Sequence, residues 1–154
     1  MDRTTIYEVE ARGVARGVSE AAARGKESLV RFDSSADGDS SLFGPAELLA
    51  SAFAACLLKN VERFSTLMPF RYSGASVSVT AEREGSPPKF SSIRYVLRLA
   101  TDEEPERVKL LHRNLIGHGT VYKTLAATCD VQGEIVAERD AGFRRHLRGI
   151  TPSS

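Results

Sequence analysis

The order of its patterned segments predicts an α+β chain. Two stretches alternate apolar and polar residues with period two, as strands with one buried face do. Between them and the amino-terminal strands lies one long apolar segment of helical character. The connections read as hairpins, and strands are grouped before and after helices instead of alternating with them one by one, which favours α+β over a parallel βαβ arrangement.

The elements follow in order. Residues 4–20 carry Thr5, Ile6, Tyr7, Val9, Val14 and Val18, punctuated by Gly13 and Gly17, and predict two short strands or a bulged hairpin. Beyond the turn at Arg24-Gly25-Lys26, residues 28–33 predict another strand, and the Ser/Asp/Gly-rich residues 34–43 a loop. The central helix is predicted from Pro45 to about Leu67. Proline suits a first helical position, Glu47 complements the positive end of the helix dipole, and Pro69 stops helix at Met68. From Leu48 to Leu58 no residue is charged, so this helix is expected to be buried all round. Ala75, Val77, Val79 and Ala81 mark one strand and Ile93, Tyr95, Leu97 and Leu99 the next, joined through Gly85-Ser86-Pro87-Pro88. Val108, Leu111, Leu115 and Ile116 recur at helical spacing over 103–116. A short helix over 120–127 and a closing strand around Val131, Ile135 and Val136 complete the pattern. The basic segment Arg144-Arg145-His146-Leu147-Arg148 is read as a solvated tail within 140–154.

With 154 residues, no internal repeat and no visible linker, the chain is expected to be a single domain over 1–154 with its core at about 5–138. A net charge of +1 gives no electrostatic case for nucleic acid or an anionic membrane. The start Met1-Asp2-Arg3-Thr4-Thr5 lacks an apolar signal core, and no apolar stretch reaches the roughly 18 residues of a membrane span. A cytoplasmic location is therefore expected, where two cysteines do not imply a structural disulfide. Two cysteines and three histidines at no zinc-like spacing predict no metal site. Hydrolase elbows and phosphate-binding glycine loops are absent from the sequence.

Cys56 is the residue with chemistry to offer. It is either a small buried hydrophobe or a protected reagent. Lys59, three positions on, occupies a neighbouring helical surface position, and a nearby cation lowers a thiol's pKa while an apolar setting raises it. Glu47 reads first as a helix-start carboxylate. Nine residues before Cys56, it lies half a turn out of phase and about 13 Å away along a straight helix. Direct cooperation would need a kink or delivery from a second chain. Cys129 precedes the closing strand, and sequence alone does not place it in disulfide range of Cys56.

The segment Gly-Pro-Ala-Glu-Leu-Leu-Ala-Ser-Ala-Phe-Ala-Ala-Cys (44–56) resembles the central-helix motif of the OsmC/Ohr family, and the element order over roughly 5–138 matches as well, including the hairpin segment Pro87-Pro88-Lys89-Phe90-Ser91-Ser92-Ile93. The resemblance implies an OsmC-like fold: antiparallel sheets wrapped around a long buried central helix, in an intertwined homodimer with two sites at the subunit interface. It further implies thiol-dependent reduction of organic hydroperoxides, with Cys56 at the peroxidatic position. No bound cofactor is implied; an external dithiol restores the enzyme. Arg16 is the preferred match for the family's activating arginine, with Arg12 and Arg24 as competitors, and Glu47 would hold that arginine from across the interface. The sequence departs from the pattern twice. Gly119 stands at the position of the family's second cysteine, leaving Cys129 as a substitute resolver, and Ala46 stands where the peroxidases carry glutamate, with Glu47 one residue on. The alternative is a non-catalytic homodimer that binds a small hydrophobic ligand or senses redox state through a lone thiol.

Overall fold

The computed structural model describes residues 3–15, 18–38 and 41–148. They divide into two compact units, Met1–Leu49 and Ala50–Ser154.

In the first unit β1 (Val9–Arg12), β2 (Ser19–Ala23) and β3 (Leu29–Phe32) form an antiparallel sheet in that order. Its register pairs Val9 with Ala23 and Ser19 with Phe32. The β1–β2 pairing is bracketed by ion pairs, Glu8 with Arg24 and Arg12 with Glu20. The predicted hairpin is present but begins later than the apolar residues suggest, because Thr5, Ile6 and Tyr7 precede the first strand. Gly25 adopts φ +76° in the β2–β3 turn, a conformation that costs glycine little. Val9, Leu29 and Val30 are exposed on this sheet.

The second unit contains β4 (Gly74–Gly85), β5 (Pro88–Ala100), α2 (Pro105–His118), α3 (Thr120–Ala126), β6 (Asp130–Glu138) and α4 (Asp140–Leu147). The period-two pattern has its predicted consequence. Ala75, Val77, Val79 and Ala81 of β4 pair with Leu99, Leu97, Tyr95 and Ile93 of β5, so both apolar sets share one face. Against that face lie Val108, Leu111 and Leu115 of α2 and the apolar stripe of α1. On β6, Val131 and Ile135 align with Ile93 and Leu97, while Gly133 lies opposite Tyr95. A Cβ at 133 would overlap the Tyr95 ring, so glycine there makes room for the ring.

One pairing departs from the expectation of antiparallel sheets: β6 runs parallel to β5, with Ser92 opposite Asp130 and Ala100 opposite Glu138. A parallel neighbour requires a crossover of about a dozen residues or more, and α2 with α3 supplies it. The α+β class is unaffected.

Helix α1 (Pro45–Leu67) has the predicted bounds. Leu48 N–H donates to the Gly44 carbonyl at 3.0 Å, and Glu47 lies in the first turn. Its burial is one-sided, which corrects the expectation of burial all round. Phe53, Leu57, Val61 and Phe64 are buried at i, i+4, i+8 and i+11, whereas Ser51, Ala52, Ala55, Leu58 and Lys59 are exposed. Within the second unit, one sheet and α2 cover one stripe of a helix, and the small residues lie on the other.

The segment read as a solvated tail contains α4. Asp140 begins it and Arg144, Arg145 and His146 end it, matching the helix dipole at both ends. Its buried anchor is Phe143, whose ring would lie 2.5 Å from a Cβ at Gly74. The Ser73 hydroxyl donates to Asp140 at 2.8 Å, tying the helix start to the head of β4.

Candidate functional site

Cys56 projects from the middle of α1 and is half-buried. One turn on, Asn60 is only 9% exposed, a buried amide in an otherwise apolar stripe. Its Nδ2 donates to the Cys56 carbonyl oxygen at 2.9 Å and lies 3.6 Å from Cys56 Sγ. Among the described residues, Asn60 is the side chain that donates to this sulfur. An i, i+4 pair on one helix face is a signal the sequence does carry, and Asn60 is the functional candidate that residue-by-residue reading passed over.

The sulfur's other neighbour is the α2–α3 junction. A Cβ at Gly119 would lie 3.4 Å from Sγ, 2.9 Å from Tyr122 Cβ and 3.0 Å from the Leu115 carbonyl oxygen. Gly119 has ordinary extended dihedrals, φ −75° and ψ 113°, so its constraint is space and not backbone conformation. The position aligned with the family's second cysteine is thus beside Cys56, but closed to a side chain unless α2 or α3 moves.

Aromatic rings pack beside this junction. Phe53, one turn before Leu57, stacks on Tyr122 at 5.7 Å and meets Tyr95 at 5.6 Å. The Tyr95 hydroxyl and His112 Nε2 are 2.7 Å apart. Burial, reinforced by Tyr122, pushes the Tyr95 hydroxyl's pKa far up, so it stays protonated. Burial also holds His112 below the usual histidine value, favouring the neutral ring. The wall is therefore uncharged at neutral pH and built from hydrogen bonds and ring contacts.

The remaining candidates are placed as follows. Arg16 lies outside the described residues. Arg12 and Arg24 are exposed and engaged with Glu20 and Glu8 of their own sheet. Lys59 is exposed. Glu47 is exposed in the first turn of α1, with Oε2 folded back to 3.2 Å from where a Gly44 Cβ would be. Cys129 follows α3 and is half-buried; its thiol donates to the Leu125 carbonyl at 3.2 Å. Both cysteines are free thiols. Among the described residues no group of three or more His, Cys, Asp and Glu is arranged to hold a metal ion, and no helix is long and apolar enough to cross a membrane.

Comparisons with known proteins agree with this architecture. Residues 38–134 match the family model for OsmC-like protein. No curated protein matches the sequence. Among solved structures, the OsmC-like protein of Mycoplasma pneumoniae superposes with a TM-score of 0.75 at 17% identity, covering 88% of this chain and 99% of that one. A Legionella pneumophila structure described as an organic hydroperoxide resistance protein OsmC and predicted redox protein gives 0.69 at 14% identity, covering 88% and 99%. The organic hydroperoxide resistance protein OhrB of Bacillus subtilis gives 0.61 at 18% identity, covering 85% and 98%. At such identities the superpositions speak for the fold, while the family match spans most of the chain from the loop before α1 into β6. The chain belongs to the OsmC-like protein family.

Proposed function

We propose that this protein reduces organic hydroperoxides through Cys56, as part of a redox-stress role. The observation that carries the reading is a half-buried thiol with a buried amide N–H directed at it and a neutral aromatic wall nearby. An amide donor stabilises a thiolate more than a thiol, because hydrogen bonds to charged acceptors are the stronger ones. The thiolate is the competent nucleophile. It attacks the terminal peroxide oxygen; the O–O bond breaks, an S–O bond forms, and the alkoxide leaves and takes up a proton. Cys56 is then a sulfenic acid and the substrate an alcohol. An apolar environment suits a hydroperoxide with a hydrocarbon tail.

The proposal includes a homodimer. Ala52, Ala55 and Leu58 leave an exposed, close-packing face on α1, and a second copy of the chain would cover it. In that assembly Arg16 would supply the activating cation, and Glu47 of the other copy would hold it. The location is proposed to be cytoplasmic, with an external dithiol as reductant and neither nucleic acid nor membrane as partner.

The Gly119 and Ala46 departures favour a second reading, a ligand-binding or redox-sensing homodimer. Consumption of cumene hydroperoxide by the purified protein with dithiothreitol, beside a Cys56→Ser variant, separates the two. Turnover that depends on Cys56 supports the enzyme. Equal rates for both proteins, or no turnover by either, remove it.

A further inference from the structure

We propose that the sulfenic acid formed at Cys56 is resolved by the thiol of the reductant itself, so that a small exogenous thiol reacts directly with Cys56 and no intrachain disulfide forms. The inference rests on the peroxidatic reading of Cys56 and concerns its second half-reaction.

Three observations on this chain carry it. First, the position whose Cβ would lie 3.4 Å from Sγ is Gly119, where that Cβ would also collide with Tyr122 and the Leu115 carbonyl, so no thiol is delivered from there. Second, the chain's only other sulfur nucleophile, Cys129, lies at the far end of α3. Ala127 N–H donates to Lys123 and Cys129 N–H to Leu125, extending helical turns past the end of α3. The ten residues from Gly119 to Cys129 then rise about 15 Å. Since Cys56 Sγ lies 3.4 Å from where a Gly119 Cβ would be, at the near end, Cys129 starts from the wrong end of the helix for a bond that needs Cα atoms within about 7 Å. Third, the Cys129 thiol is engaged with the Leu125 carbonyl and packs on the hydrophobic core, as a structural cysteine does.

The balance is as follows. An exogenous thiol attacks the Cys56 sulfur; an S–S bond forms, the S–O bond breaks, and hydroxide leaves as water with the proton of the incoming thiol. A second thiol, from another molecule or the other arm of a dithiol, attacks the exogenous sulfur of that mixed disulfide. Cys56 thiolate is released and the reductant departs as its own disulfide. Two thiols are oxidised for each peroxide reduced to alcohol and water. The second step proceeds without Cys129.

The test is intact-mass and peptide analysis of the full chain after one equivalent of cumene hydroperoxide, with and without dimedone or 2-mercaptoethanol, for the wild type and Cys129→Ser. The expected result is one added oxygen on Cys56, a dimedone adduct there, and a mixed disulfide with 2-mercaptoethanol, all unchanged in Cys129→Ser, with peroxide turnover within about twofold of wild type in that variant. Loss of two hydrogens with Cys56 joined to Cys129, within one chain or between two, overturns the proposal while leaving the peroxidatic reading intact. Absence of any oxidation at Cys56 overturns both, and the mass distinguishes the two failures.

Discussion

Cys56, in the middle of α1, and Cys129, just past the end of α3, are both half-buried free thiols, yet their surroundings differ in kind. Cys129 is the donor in its own hydrogen bond, giving its S–H to Leu125 and packing on core side chains. Cys56 sits near a donor, the Asn60 amide, and beside a glycine instead of a side chain. A thiol that donates to a carbonyl has its S–H already engaged; one that faces an N–H is offered a donor at its sulfur. The same residue type is thus packing in one place and a candidate reagent in the other, and polarity of the neighbouring group, not burial, makes the difference.

The largest effect that tests this contrast is on turnover. Cys56→Ser is expected to lower hydroperoxide reduction by at least about 100-fold, since a hydroxyl at neutral pH offers almost no anion. Cys129→Ser is expected to leave the rate within about twofold. Equal losses in the two variants would erase the distinction between the thiols.

Next in size are the two glycines whose missing side chains shape the neighbourhood. Gly119→Ala inserts a methyl 2.9 Å from Tyr122 Cβ and 3.0 Å from the Leu115 oxygen, and overpacking of this kind costs about 1–3 kcal/mol. Gly133→Ala drives a methyl into the Tyr95 ring and is expected to cost at least as much. Urea denaturation measures both. A neutral Gly119→Ala would mean that the α2–α3 junction yields, and that a second cysteine was never sterically barred from it.

Much of this architecture is legible in the residues. Pro45 and Pro69 bound α1 because proline acts locally, and the β4–β5 ladder is visible because alternation records burial directly. What escaped depends on partners remote in sequence. The parallel pairing of β6 is set by the crossover, not by anything in Val131–Ile135–Val136 themselves. Helix α4 has a single apolar anchor, Phe143, whose seat on Gly74 lies across the sequence. The one-sided burial of α1 reflects how much cover its own unit supplies, which a run of alanines does not reveal. At the site, Cys56 was found from its setting in the motif, whereas Asn60 matters through its side-chain rotamer, and Gly119 through the approach of Sγ from another element. The roles proposed for Glu47 and for Arg16, which lies outside the described residues, stay tied to the proposed second copy of the chain.

Asn60 gives a smaller and more specific test. Asn60→Leu keeps approximate volume and removes the donor. Hydrogen bonds to charged groups are worth about 1.5–3 kcal/mol, and about 1.4 kcal/mol on a barrier is tenfold in rate. Hydroperoxide turnover, read at neutral pH in Cys129→Ser to isolate one thiol, is expected to fall by about tenfold. Asn60→Asp should lower it at least as far, because it sets an acceptor where the amide donates. An unchanged rate in both variants would show that the amide serves only the Cys56 carbonyl.

The smallest expected effect concerns the aromatic wall and its pH dependence. His112 is held below its ordinary value by burial, so the unfolded chain takes up a proton at this ring more readily than the folded one. Stability rises with pH wherever the unfolded state binds more protons. The contribution is therefore fully present above the ordinary histidine value of about 6.5 and is lost as pH falls through that value toward the lower folded one. Protonation also turns Nε2 into an obligatory donor, so the Tyr95 hydroxyl must accept where it donates to a neutral ring with unprotonated Nε2. His112→Gln retains a polar partner for Tyr95 without a titrating group. The urea midpoint of the wild type is expected to fall more between about pH 7.5 and about pH 5.5 than that of His112→Gln, the carboxylates being mostly ionised across this window. Cys129→Ser should follow the wild type, since it leaves the Tyr95–His112 hydrogen bond in place. Parallel curves for wild type and His112→Gln would mean that the ring titrates equally in both states, and that the wall beside Cys56 is open enough to solvate a charge.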